Sequence, residues 1–333
     1  MTKSIDVVGI GAAIVDILAR VDDAFLDQHD VPKGGMLLVD SEKAEAVYND
    51  MGPAREISGG SAGNTIAGLA ALGAEVVFVG KTRDDQLGQI FAHDIRAAGA
   101  GFETPPFDKS HPTATARSMI LVTPDAQRSM CTDLGVSGLL TDADLPFEAI
   151  KNSKVLYLEG YMWDRDDTKA AFRSAMAEAK SVDGEVALSL SDPFCVDRHR
   201  NSFREIVEGP VDMLFANEVE ILSLFETEDF DDAVRQLQGH VPIAALTRSE
   251  KGVVVLRNGE RVDVPAAPIE ELVDTTGAGD LFAAGFLYGH VTGRDLETCG
   301  RMGCLAASEI IQHIGARPEQ DLKTLFQQNG LIG

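Results

Sequence analysis

The sequence is poor in basic residues, with 29 lysines and arginines against 53 aspartates and glutamates and a formal net charge of −24. Nucleic acids and anionic membrane surfaces are bound through clustered Lys and Arg side chains. We therefore expect neither as a partner. The charge favours solubility, but it also means that a site for an anionic ligand must create its own positive potential.

Long apolar runs and paired cysteines are also missing. Charged residues interrupt the apolar stretches well before the ~18 residues that a membrane helix needs. The N-terminal segment contains one lysine and then Asp6, which is not the layout of a signal peptide. No C-x-x-C pair occurs, so we expect reduced thiols in a cytoplasmic protein and no zinc site. The four cysteines are Cys131, Cys195, Cys299 and Cys304.

What the sequence does contain is an alternation of short apolar runs with longer helical patterns. This alternation predicts one α/β domain over residues 1–333, with a mostly parallel sheet covered by helices. The predicted core strands are residues 5–10, 75–80, 154–160, 185–190, 212–217 and 243–247. Two further apolar runs flank Asn258 and Gly259, which predicts a β-hairpin with a type I′ turn.

Three segments alternate with a period of two instead, which is typical of a sheet with one face exposed to water. These segments are residues 14–21, 114–123 and 127–134. With residues 34–40 as a fourth strand, they predict a small separate sheet that acts as a lid. The lid would be discontinuous, from about 12–22, 34–40 and 112–135. An edge extension of the main sheet is the alternative.

The stretch DTTGAGDLFAAG begins at Asp274. Gly277, Ala278 and Gly279 offer little or no side chain just before Asp280 and an apolar helical pattern. The first N–H groups of a helix lack internal partners and carry partial positive charge, and small residues let an anion approach them. The stretch is therefore either an anion-binding turn or a tight turn into a buried helix.

A second glycine cluster, SGGSAGNTIAGLAALG, begins at Ser58 and leads into another helical pattern. The pair Gly59 and Gly60 lets backbone approach a ligand, and Asn64 offers both a donor and acceptors. Helix capping alone is the alternative.

Together the two clusters resemble the signatures of the ribokinase-like (PfkB) carbohydrate and nucleoside kinases. The C-terminal signature, D-T-x-G-A-G-D, is matched at every position from Asp274, and residues 58–88 are similar to the N-terminal one. A third family feature, N-x-x-E, is present at Asn217 and Glu220. The resemblance implies a phosphotransferase with an alcohol group as acceptor. It also implies a three-layer α/β/α sandwich with a small β-sheet lid.

The resemblance further implies roles for individual residues. Asp280 would be the catalytic base, with the N–H groups of residues 277–280 as the anion hole for the γ-phosphoryl group of ATP. Mg²⁺ and phosphate would be supported at Asn217 and Glu220, the metal through water. A monovalent cation, usually K⁺, would lie beside the anion hole at Asp274 and Thr276.

Two electrostatic expectations accompany these roles. The start of a helix should lower the pKa of Asp280, so this residue would mainly orient the acceptor hydroxyl and take its proton late in a loose transition state. Arg128, on a lid strand, would add positive charge over the phosphates or would simply be a solvated strand residue.

The resemblance also implies which residues would contact the substrate. Asp16 and Asn64 would bond sugar hydroxyls, in a pocket shared with Gly59, Gly60 and Ser61. The layout of residues 9–40 and 188–203 is most similar to the adenosine kinase branch. A nucleoside also needs an apolar slot for its base, whereas a sugar does not. Candidates for that slot are Ile14, Met36, Leu37, Met119, Leu134, Tyr161 and Phe194. Candidates for the adenine site of ATP are Thr247, Gly252, Val264, Cys304 and Ala307.

Several alternatives stay open. Ala12 and Ser189 stand where adenosine kinases often carry Asn, so inosine, guanosine, or a sugar such as ribose, fructose or 2-keto-3-deoxygluconate remains a candidate substrate. A nucleotide-binding regulator without catalysis is a further alternative, which the intact Asp280 disfavours. Either a monomer or a homodimer is compatible with the sequence.

Overall fold

A computed structural model describes residues 3–125 and 127–333. The strands are β1 (Ile5–Ile10), β2 (Ile14–Arg20), β3 (Met36–Leu38), β4 (Arg55–Ser58), β5 (Val76–Val79), β6 (Ala116–Val122), β7 (Arg128–Asp133), β8 (Ser153–Glu159), β9 (Glu185–Ser189), β10 (Met213–Asn217), β11 (Ile243–Thr247), β12 (Val253–Arg257) and β13 (Glu260–Val264). The helices are α1 (Asp23–Gln28), α2 (Ser41–Asp50), α3 (Ser61–Ala71), α4 (Gln86–Ala97), α5 (Phe147–Lys151), α6 (Asp166–Lys180), α7 (Pro193–Val207), α8 (Glu218–Phe225), α9 (Phe230–Leu237), α10 (Ala278–Val291), α11 (Leu296–Ile310) and α12 (Leu322–Gln328).

The main sheet has the strand order β13-β12-β11-β10-β9-β8-β1-β5. Its strands are parallel from β5 to β11, and β12 and β13 add an antiparallel edge. The turn between these two has positive φ at both Asn258 (49°) and Gly259 (89°). A type I′ turn requires this, so the predicted hairpin is confirmed.

Both faces of the parallel part of the main sheet are buried under helices, which is why strands β1, β5 and β8–β11 are largely apolar. One face carries Val8, Leu156 and Leu188 and packs on α5–α9. The other carries Val7 and Val155 and packs on α3, α4 and α10–α12. The three-layer α/β/α sandwich is therefore confirmed, together with a second, smaller sheet.

The second sheet has five strands in the order β3-β7-β6-β2-β4, where four were predicted. The prediction omitted β4, because its four residues are too short to show a period. The prediction of a wet face is wrong for β6, where Arg117 is 8% exposed and Met119 is fully buried. Met119 packs with Leu26 and Val47 of α1 and α2. The opposite face of the sheet lines a cleft against the main sheet.

Within the described residues, no helix has the length and apolar character needed to cross a bilayer. All four cysteines are buried and unpaired, in agreement with the expectation of reduced thiols.

Candidate active site

The cleft between the two sheets has a volume of about 760 Å³. Four of its lining residues end neighbouring parallel strands, because Glu159 is in register with Ser189 and Asn217 with Thr247. Ligands of open α/β sheets bind at these carboxyl ends. The topology therefore assembles the cleft from residues that are far apart in the sequence.

The DTTGAGD turn forms one end of the cleft and starts α10. Gly277 caps the helix with φ of +79°, and a Cβ there would lie 2.9 Å from the Cβ of Ala316. A Cβ on Gly279 would meet nothing within 4 Å. The first α-helical bond is donated by Leu281 N to Gly277 O, so the N–H groups of Gly279 and Asp280 precede the helical ladder. This geometry is suited to an anion.

Asp280 links this turn to the second glycine cluster. Its Oδ1 accepts a hydrogen bond from Ser61 Oγ (2.7 Å), and its Oδ2 accepts one from Asn64 Nδ2 (2.9 Å). Burial raises the pKa of Asp280 to about 6, although both hydrogen bonds and the charge of Arg317 oppose the shift. The expectation of a lowered pKa is therefore wrong, because desolvation outweighs the field of the helix.

The Gly59–Gly60 turn brings backbone close to Asp16. A Cβ on Gly59 would collide with the Asp16 carboxylate, and Gly60 has φ of +82°. Both conditions favour glycine. Burial raises the pKa of Asp16 to about 7. Asn64 Oδ1 is a buried acceptor without a partner in the described residues. Asp16, Gly60, Ser61, Asn64 and Asp280 thus form one polar corner of the cleft.

Glu159 also lines the cleft and was not among the predicted site residues. Its Oε1 accepts from Ala12 N (2.8 Å) and its Oε2 from Ala62 N (2.6 Å). Burial raises its pKa to about 7 despite these bonds. The carboxylate therefore ties the end of β8 to the first turn of α3. The sequence feature that could have identified it is an acidic residue at the end of a predicted buried strand.

The N-x-x-E feature forms a reciprocal capping box at the start of α8. Glu220 N donates to Asn217 Oδ1, while Asn217 N and Nδ2 donate to the two oxygens of Glu220. The described residues contain no cluster of three metal-ligating side chains. Glu220 lines the cleft, and a single carboxylate together with water and phosphate oxygens is the usual setting for Mg²⁺, so the residues present fit that ion. They do not fit an all-protein cage.

The predicted site for a monovalent cation is arranged differently. Asp274 Oδ1 accepts from Thr276 N (3.0 Å), and Oδ2 accepts from Gly315 N (2.9 Å) and Arg128 Nη1 (2.6 Å). Arg128 also donates to Thr276 Oγ1 (2.9 Å). The guanidinium already neutralises this carboxylate, so the arrangement does not fit a K⁺ ion at the same oxygens. Instead, Arg128 joins β7 of the second sheet to the DTTGAGD turn.

The second sheet gives the cleft an apolar wall. The lining side chains from the sheet are Ile14, Met36, Leu37, Leu38, Ile120 and Met130, and Leu134 follows directly after β7. Tyr161 and Phe194 line the opposite side, and Phe194 is 71% exposed at the rim. The proposed slot candidates therefore converge on the cleft, with one correction. Met119 points away from it into the packing with α1 and α2.

The adenine-site candidates do not converge in the same way. Thr247 lines the cleft. Val264 and Cys304 are core residues, and Gly252 packs against the backbone of Val264. Ala307 lies beside the same core on α11. Apart from Thr247, the structure does not bring them to the cleft, and their role stays a prediction.

Residues 38–322 match the pfkB family carbohydrate kinases. The chain belongs to this family. The adenosine kinase of Sinorhizobium meliloti is 51% identical, with 98% of this chain and 99% of that chain covered and a TM-score of 0.92. A probable sugar kinase from Rhizobium etli CFN 42 is 48% identical over 100% of both chains, with a TM-score of 0.93. Adenosine kinase 1 of Arabidopsis thaliana is 26% identical over 336 residues, or 92% of this chain and 94% of that protein.

Family membership makes the protein a phosphotransferase with an alcohol acceptor, a nucleoside or sugar kinase. It also implies ATP as the phosphoryl donor, usually with Mg²⁺.

Proposed function

We propose that this protein phosphorylates the 5′-hydroxyl of a nucleoside, and that adenosine is its preferred substrate. The observation that carries the proposal is the pairing of a polar corner with an apolar wall in one cleft. Asp16 and Asn64 offer acceptors to ribose hydroxyls, while Ile14, Ile120 and Leu134 face the space beyond them. A free sugar would leave that apolar wall unused. The likeness to the S. meliloti adenosine kinase supports the same substrate.

The chemistry follows from the polar corner. The 5′-hydroxyl would approach Asp280, whose raised pKa of about 6 makes it a better proton acceptor than an ordinary aspartate. The N–H groups of Gly279 and Asp280 would stabilise the charge of the transferred phosphoryl group. Bound Mg²⁺ would neutralise charge on the phosphates. Ser61 and Asn64 hold the Asp280 carboxylate in place.

The second sheet would act as a lid in this reaction. Arg128 connects it to the turn that would hold the phosphoryl group, so closing the sheet would complete the site and exclude water. Substrate and nucleotide together should slow hydrogen exchange in β2, β6 and β7 relative to the free protein. Equal exchange rates with and without ligands would show that the sheet is a static extension.

A free-sugar kinase is the second candidate, which the 48% identical probable sugar kinase from R. etli favours. A substrate panel decides between the two. Purified protein with ATP and Mg²⁺ is offered adenosine, inosine, guanosine, cytidine, ribose, fructose and 2-keto-3-deoxygluconate, and ADP release is measured. We expect kcat/KM to be highest for adenosine. A higher kcat/KM for any free sugar would reject the nucleoside proposal.

A further inference from the structure

Arg317 lies outside every motif recognised in the sequence, in the loop between α11 and α12. Its Nη1 donates to Gly63 O (2.9 Å) and its Nη2 to Ser58 Oγ (2.9 Å). Ser58 ends β4, and Gly63 lies in the first turn of α3. The planar guanidinium therefore spans the turn that carries Ser61, with the fixed fork geometry that only arginine provides.

The neighbours of Arg317 contact the other glycine turn. Gly315 N donates to Asp274 Oδ2 (2.9 Å). Ala316 packs closely on Gly277, since a Cβ on Gly277 would lie 2.9 Å from the Cβ and 3.1 Å from the Cα of Ala316. Residues 315–317 thus contact both the DTTGAGD turn and the Ser58–Gly63 turn. Arg317 is the member of this segment that carries charge.

Arg317 also faces both carboxylates of the polar corner. Burial raises the pKa of Asp280 to about 6 and that of Asp16 to about 7, and the charge of Arg317 opposes both shifts. Burial lowers the pKa of Arg317 itself to about 10, so it remains cationic at neutral pH. The titratable groups that interact with Asp280 are Asp16, Tyr157, Glu159, Tyr161, Glu220 and Arg317. Arg317 is the cation in this set.

We propose that Arg317 is a positioning residue for phosphoryl transfer, which fixes the Ser58–Gly63 turn through its two hydrogen bonds and places a positive charge beside Asp280. The role rests on the proposed function, since it concerns the same reaction. It is distinct from substrate contact, because Arg317 acts through the groups that would touch the acceptor.

The test separates charge from hydrogen bonding with two variants. Arg317→Gln removes the charge but keeps an amide donor, and Arg317→Lys keeps the charge but loses the fork. In the wild type, kcat/KM should rise with pH through about 6 as Asp280 loses its proton. Without the cation the carboxylate holds its proton to higher pH. The acid limb of the kcat/KM profile of Arg317→Gln should therefore move upward by about one pH unit, which lowers kcat/KM about fivefold at pH 6 and hardly at pH 8.5. In Arg317→Lys the limb should stay in place while the KM of the acceptor rises.

Arg96→Gln is the matched control, because Arg96 also donates from two nitrogens, in its case to Phe102 O. Its acid limb should coincide with that of the wild type. The proposal would be overturned if the acid limb of the kcat/KM profile stayed in place in Arg317→Gln, or if it moved by the same amount in Arg96→Gln. If Arg317→Gln does not fold, an unchanged KM in Arg317→Lys would overturn it instead.

A measurement without substrate distinguishes failure of this inference from failure of the proposed function. The side-chain ¹³C signal of Asp280, assigned by its loss in Asp280→Asn, is titrated in the wild type and in Arg317→Gln. A higher midpoint in the variant supports the role of Arg317 even if no nucleoside in the panel is phosphorylated. Equal midpoints refute it.

Discussion

Replacing Asp280 by Asn tests the assignment of the catalytic base most directly. General base catalysis contributes about 10²–10⁴-fold to a rate. We therefore expect kcat to fall about 10³-fold, which corresponds to about 4 kcal/mol of transition-state stabilisation. Binding of ATP should survive, because the anion-binding N–H groups belong to the backbone. Initial rates of ADP release give kcat, and calorimetry gives the affinity for ATP.

The folded state should tolerate this change. Asn has one side-chain oxygen where Asp280 accepts from both Ser61 and Asn64, so one hydrogen bond worth about 1 kcal/mol is lost. Removal of a buried charge offsets part of that loss, and the melting temperature should shift by about 2 °C at most. Asp295→Asn, at the N-cap of α11, is the matched control and should keep full activity. A kcat for Asp280→Asn within tenfold of the wild type would refute the assignment.

Two further predictions concern the same end of the cleft. Gly277→Ala should destabilise the protein by about 2–4 kcal/mol in chemical denaturation, because alanine would be strained at φ of +79° and would meet Ala316. Gly279→Ala has open space around its new methyl group and should keep its stability while losing activity; equal destabilisation in both would contradict this account. Replacing K⁺ by choline should leave the wild-type kcat within twofold, since Arg128 already neutralises Asp274, whereas Arg128→Ala should lose activity and regain part of it in K⁺. A strict K⁺ requirement in the wild type would contradict the role given to Arg128.

The parts of the site that the sequence predicted are those encoded in contiguous stretches. Gly277 and Gly60 have positive φ and close neighbours, so a larger residue would not fit at either position. Each turn is therefore recognisable from the glycines in its own stretch of sequence. The core strands were also predictable, because a parallel sheet buried on both faces requires unbroken apolar runs.

The parts that escaped prediction depend on contacts between distant segments. Arg317 bonds Gly63 across 254 residues, and no local pattern marks it. The pKa of Asp280 was assigned the wrong direction for the same reason. The helix that lowers it is local, whereas the burial that raises it comes from residues elsewhere in the chain. The expectation that β6 has a solvent-exposed face was wrong for a similar reason, because α1 and α2 cover that face.

The acidic lining of the cleft affects the rate at which a nucleotide reaches it. Arg198 is the one guanidinium among the described lining residues, against the carboxylates of Asp16, Glu159, Asp164, Asp192, Glu220 and Asp280. Burial raises the pKa of four of these carboxylates to about 6–7. The chain as a whole still carries a net charge of −24, so it repels an approaching polyphosphate and slows its capture by diffusion. Dissolved salt screens that repulsion, and association should quicken as ionic strength rises. Free anions are held off at a distance, while a nucleotide that arrives with its own divalent cation meets a lower barrier.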